Sequence, residues 1–235
     1  MQKWDYLIIA NALPVSPLTL PSYLQDDNQV IAHWSIIAPI EDSQLAALPS
    51  ENTRRTSATL PPLPPGWSAS DYSSLTDSEP PSDLEASLAL SSTAIGSSKQ
   101  SPPIPIKDFI STFASSHPGP VSMFNLVACF PGQRARFFGY IAAFGESVGS
   151  RYGGEAQLLG TGVTDWSSRK AEGAEVADPK AGGSGVWEDV ALVWYPSLWH
   201  FSKLLDDSDY ADADRTFKQG VLMDNPILCC REVVL

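Results

Sequence analysis

The sequence predicts an α+β domain over residues 104–235, preceded by a short strand-rich segment and a long linker. Three observations predict it. Dense apolar patterning starts at Ile104 and runs to the end. Within it, segments of strand character alternate with segments of helical spacing. Before it, from Glu41 to Pro103, Ser and Pro make up about two-fifths of the residues, the composition of a flexible spacer.

The elements follow in order. In residues 1–40, Trp4–Asn11 and Val30–Ala38 are rich in Ile, Val and aromatics and read as strands. Between them Leu18–Leu24 offers a turn or two of helix, interrupted by prolines at 14, 17 and 21. Residues 41–103 read as a disordered linker, with Pro61-Pro62-Leu63-Pro64-Pro65 favouring polyproline conformation. Ile106–Ser115 places Phe109, Ile110 and Phe113 on one side of a short helix. Val121–Phe130 alternates as a strand. Pro131 then suits a helix start, and the helix extends to about Gly149 with Phe137, Ile141, Phe144 and Val148 in register. Ala156–Thr164 is the next strand, Asp165–Gly185 a polar loop, and Trp187–Tyr195 a third strand. Pro196 opens a helix carrying Leu198, Phe201, Leu204 and Leu205; Ser208 caps another, carrying Tyr210, Ala213, Phe217 and Val221. Pro226–Leu235 is a final strand.

This order, strand–helix–strand–strand–helix–strand, is the ferredoxin-like βαββαβ arrangement. Its helices lie on one face of the sheet, so the other face needs a cover. A second copy of the same sheet supplies one, giving a homodimer closed as a barrel. Alternatively the N-terminal strands extend the sheet or cover part of it.

Composition excludes several partners. The net charge is −12, from 27 acidic and 15 basic residues, which disfavours nucleic acid and anionic membranes. No apolar run approaches the roughly 20 residues of a membrane helix. The run Leu7–Ala10 is too short for a signal-peptide core. The three cysteines, Cys129, Cys229 and Cys230, show neither a disulfide framework nor zinc spacing. A cytoplasmic location without cofactor or metal is therefore expected. The glycine-rich stretches lack the lysine and strand–helix context of phosphate loops.

The residues Met123-Phe124-Asn125-Leu126, Pro131-Gly132 through Phe137-Phe138-Gly139-Tyr140, Arg151-Tyr152-Gly153-Gly154, Val190 through Ser197, Phe201 and Asp209-Tyr210 together resemble the small dimeric α/β-barrel proteins. The nearest branch is an uncharacterised family with bacterial and fungal members. The resemblance covers residues 104–235 and implies a dimeric barrel; it leaves chemistry open, because the superfamily includes isomerases, cyclases, monooxygenases and members without known activity.

A short set of polar residues stands out in that frame. Asn125 interrupts an apolar strand row and needs a partner if buried. Tyr140 and Tyr195 are phenols beside apolar positions. His200 lies at the border of a helix stripe, and only His33 and His117 share its chemistry. Met123, Trp194 and Trp199 would line the cavity. The expectation is a cofactor-independent, enzyme-like barrel acting on a small hydrophobic or aromatic molecule, with Asn125, Tyr140, Tyr195 and His200 as catalytic candidates. The alternative is a non-catalytic dimeric ligand-binding or interaction module, whose lumen Met123, Trp194 and Trp199 plug.

Overall fold

A computed structural model describes residues 32–56, 106–117, 119–163, 165–170, 187–205 and 207–231. The expected strand Trp4–Asn11, the turn of helix at Leu18–Leu24 and the Ser/Pro-rich stretch beyond residue 56 lie outside them. In chain order the elements are β1 (Ala32–Ile37), α1 (Asp42–Thr56), α2 (Ile106–Ser116), β2 (Val121–Cys129), α3 (Arg134–Glu146), α4 (Val148–Arg151), β3 (Glu155–Thr161), β4 (Asp165–Lys170), β5 (Asp189–Tyr195), α5 (Leu198–Leu205), α6 (Ser208–Phe217), β6 (Leu222–Asp224) and β7 (Ile227–Cys230).

The chain is α+β, built on an open antiparallel sheet. Five strands run in the order β3-β5-β2, with β6 and β7 both pairing the outer side of β2. β2 is central, pairing β5 from Val121↔Tyr195 to Val127↔Asp189 and β7 from Ser122↔Cys230 to Asn125↔Ile227. Eight of its nine residues are buried. Alternate side chains of a strand point to opposite faces, so β2 feeds two cores. Val121, Met123, Val127 and Cys129 pack under α2, α3, α5 and α6 with Ile110, Phe137, Leu198, Leu204 and Val221. Phe124, Leu126 and Ala128 form the opposite core with Leu158, Trp187, Val190 and Leu192.

The second core is where the sequence reading needed a cover, and the N-terminal segment supplies part of it. Ile36, Ala38, Ile40, Leu45 and Leu48 pack against that face. Ile40 bridges Gly160, and Thr161 N–H donates to Pro39 O at 3.3 Å. Farther along, Leu159 N–H donates to the Gln44 side-chain oxygen at 2.8 Å. Of the two alternatives for the N-terminal strands, covering is the one observed for this segment. β1 itself pairs β4 in a separate two-stranded ladder.

Several boundaries differ from the sequence reading, each for a local reason. The region read as linker from Glu41 begins with the 15-residue helix α1. Pro49 inside it argues against a helix, but Asp42 in its first turn and Arg54 and Arg55 in its last complement the helix dipole. The loop read from Asp165 begins with strand β4, whose partner β1 lies more than a hundred residues earlier. Pro131 sits in a turn with Gly132 at φ 76°, not in the helix, and the long helix breaks at Ser147 into α3 and α4. The cap of α6 is Asp207, which accepts from Asp209 N–H at 2.8 Å, instead of Ser208. Among the described residues no helix is long and apolar enough to cross a membrane.

Gly160 marks the closest approach of the N-terminal segment. A Cβ there would stand 2.8 Å from Val190 Cγ2 and 2.9 Å from Ala38 Cβ. Gly160→Ala is therefore expected to cost about 1–3 kcal/mol by overpacking. Urea denaturation reads the loss, and faster amide exchange at Thr161 locates it; unchanged stability with Thr161 still protected would count against this packing.

Candidate functional site

The sheet separates the residues that the sequence singled out. Met123, Tyr140, Tyr195 and Trp199 all belong to the helix-side core. Trp194 points to the other face, its Cα partners being Ser122 and Glu155. Its indole N–H is buried without a hydrogen-bond partner among the described residues. Asn125 is half-buried and donates to the Met123 carbonyl of its own strand at 2.9 Å. The Tyr195 ring meets Phe201 edge-on at 5.2 Å, and Tyr140 stacks on Phe137 at 6.0 Å.

His200 is a correction. It is 1% exposed, not at a boundary. Ser197 precedes α5 as its cap residue, and its Oγ lies 2.8 Å from His200 Nδ1 three positions on. His117 stacks on Phe113 at 4.5 Å. Asp189 is a buried acid. It receives Arg134 Nε at 2.8 Å and Nη2 at 2.5 Å, and Gly162 N–H at 3.1 Å. Arg151 pairs with Asp207 at 3.0 Å and Asp209 at 2.8 Å.

One of the candidates, Tyr140, meets a polar cluster that the sequence reading missed. Lys218, just past α6, donates to Tyr210 Oη at 3.0 Å and pairs with Asp214 Oδ1 at 3.1 Å. Its ammonium lies 4.2 Å from the Tyr140 ring centroid, a cation–π contact. Tyr210, Asp214 and Lys218 follow one another at a spacing of four, one stripe of α6 and its cap. That spacing is visible in the sequence, but Asp and Lys are rarely buried, so it gives no signal of a core cluster. Burial pushes the Tyr140 and Tyr195 phenols well up, so both stay neutral. Burial opposes the Lys218 charge, yet Tyr140, Tyr210 and Asp214 together raise its pKa. These phenols and this amine serve one another inside the core.

Converging polar side chains around open space occur instead between α1 and β3. There a cavity of about 330 Å³ is lined by Ser43, Gln44, Glu51, Arg55 and Gln157, with Ala47, Leu48 and Ala156 supplying apolar wall. Gln157 is buried and accepts from Ser122 Oγ at 2.8 Å. The Arg55 side chain is 6% exposed. Its Nε donates to Glu155 Oε2 at 3.3 Å, and its Nη2 is 3.8 Å from Glu51 Oε2. Arg54 reaches the same Glu155 oxygen from the helix surface. A smaller cavity of about 100 Å³ lies under α3, walled by Phe137, Phe138, Ile141 and Leu159. Neither cavity is lined by any of the seven candidates.

The same buried groups set an alkaline limit. Burial raises the thiols from 9.0 to about 11 for Cys129, about 12 for Cys229 and about 11 for Cys230. In each, as in the two phenols, the folded chain keeps a proton that the unfolded chain releases. Unfolded protein then binds fewer protons, so stability falls as pH rises. Unfolding free energy should hold up to about pH 9 and decline steeply above it, as denaturant titrations at stepped pH would reveal. A flat profile to pH 11 would contradict this burial.

No family model matches the chain, and no curated protein matches it. Among solved structures it is similar to a protein of unknown function from Rhodopseudomonas palustris, at 20% identity and a TM-score of 0.40, over 56% of this chain and 97% of that one. The methylated form of that protein gives 21% identity and a TM-score of 0.41, over 56% and 94%. An uncharacterised NIPSNAP-like domain protein from Burkholderia xenovorans gives 14% identity and a TM-score of 0.33, over 50% and 88%.

Proposed function

We propose that this chain is a ferredoxin-like module that binds a small molecule without transforming it, in the cleft between α1 and β3. One observation carries the reading: polar side chains from two elements converge on a cavity of about 330 Å³ there. A few convergent polar groups in a concave, partly apolar wall are what small ligands use. The strand order β3-β5-β2 with β6 and β7 outermost supports the ferredoxin-like assignment. The enzyme reading through Asn125, Tyr140, Tyr195 and His200 has less support. Tyr140, Tyr195 and His200 are buried, and the contacts of all four are internal.

The reading retains a homodimer. The β7 end of the covered face carries Met223, Leu228 and Cys230, which are only partly buried. A second copy meeting that end buries them without displacing α1.

Two measurements test these claims. Ala47 is exposed on α1 and lines the cleft. Ala47→Trp should fill the cleft, abolish hits from a fragment screen read by protein NMR, and change stability by less than about 0.5 kcal/mol, as surface substitutions do. Hits that survive it would remove the cleft from consideration. Light scattering of the full chain, 25.3 kDa per copy, should return a dimer; a monomer at micromolar concentration would refute the homodimer.

A further inference from the structure

Arg55 is an unusual wall for a cavity. Charged side chains are almost never this buried unless paired, and Arg55 is ion-paired with Glu155 and, at longer range, Glu51 while using few of its hydrogen-bond donors. Of its five N–H donors, the one on Nε is engaged with Glu155. The two terminal nitrogens make no hydrogen bond among the described residues; the nearer carboxylate oxygen, on Glu51, is 3.8 Å from Nη2. Arg55 lines the cleft, and its terminal nitrogens form the edge that matches a carboxylate with two parallel bonds.

Resting on the cleft reading above, we infer that its ligand is a small monocarboxylate, held through its carboxylate by the terminal nitrogens of Arg55. Three features select that class. First, Glu155 already shows what this arginine takes, and it leaves the paired donors unused. Second, Arg54, Arg55, Glu51 and Glu155 sum to zero charge around the site. A single negative charge meets less repulsion from Glu51 and Glu155 than a dianion such as a phosphate would, in a protein of net charge −12. Third, Ala47, Leu48 and Ala156 form a small apolar wall. The volume of about 330 Å³ is at the small end of ligand pockets and admits a short acyl chain. Gln44 and Ser43 stand at the same wall to meet a second polar group.

The test compares hexanoate with hexanamide, which share shape and differ in charge, by NMR titration of the full chain. Hexanoate should shift the Arg55 Nε–H and the Gln44 and Gln157 amides saturably, at least tenfold more tightly than hexanamide. Arg55→Gln should erase that preference and leave hexanamide unchanged. Should Arg55→Gln fail to fold, Glu155→Gln keeps the arginine and removes its internal competitor. Hexanoate should then bind several-fold more tightly than to the natural chain, and weaker or equal binding would overturn the inference. Equal affinity of the natural chain for the two probes overturns the carboxylate assignment and leaves the cleft reading standing. Silence of the cleft amides toward both overturns the cleft reading as well.

Discussion

A central strand that is apolar on both sides must be covered on both sides, and the rest of this structure follows from that constraint. β2 buries eight of nine residues. Leaving either row of it in water would cost on the order of 25 cal/mol for every Å² of apolar surface. Four helices cover one face. On the other, a segment from the distant N-terminal part of the chain comes back to pack, and in doing so creates both the second core and the cleft at its margin. The cleft exists because a helix laid on a twisted sheet touches it along a line and leaves a gap beside the edge strand.

The two polar clusters illustrate opposite ways of handling charge inside such a frame. Around Lys218 every donor and acceptor faces inward, with a phenol, a carboxylate and an aromatic face sharing one ammonium. Networks of that kind specify a unique packing and resist substitution of single members. At the end of α1 the pairing is incomplete: Glu155 serves two arginines at once, and one of them keeps donors in reserve. Closed networks hold a fold together; open ones are available to something else.

Legibility of the fold tracked the range of the interactions involved. β2 and β5 were readable because strong β-formers crowd them, and α5 and α6 because Leu198–Leu205 and Tyr210–Val221 keep helical spacing over two turns or more. α1 was not readable, because Ser, Pro and two arginines there mimic a spacer, and what holds it is Glu155 and the Leu159 amide, 101 and 115 positions away from Arg54 and Gln44. β4 was hidden for the same reason, its partner being β1. Alternation along β5 puts Trp194 and Tyr195 on opposite faces of the sheet, which the sequence order alone does not display.

The return of the N-terminal segment bears on how the molecule comes into being. Synthesis proceeds from the N-terminus, so α1 emerges long before the strand edge it docks on, and Gln44 waits for Leu159 through 115 further residues. The partner strand itself becomes part of a sheet only after β5 is made. The intervening sequence, rich in Ser and Pro and poor in apolar residues, offers few wrong partners meanwhile. The earliest helix among the described residues is thus among the last pieces to settle, and the cleft is completed only when it does.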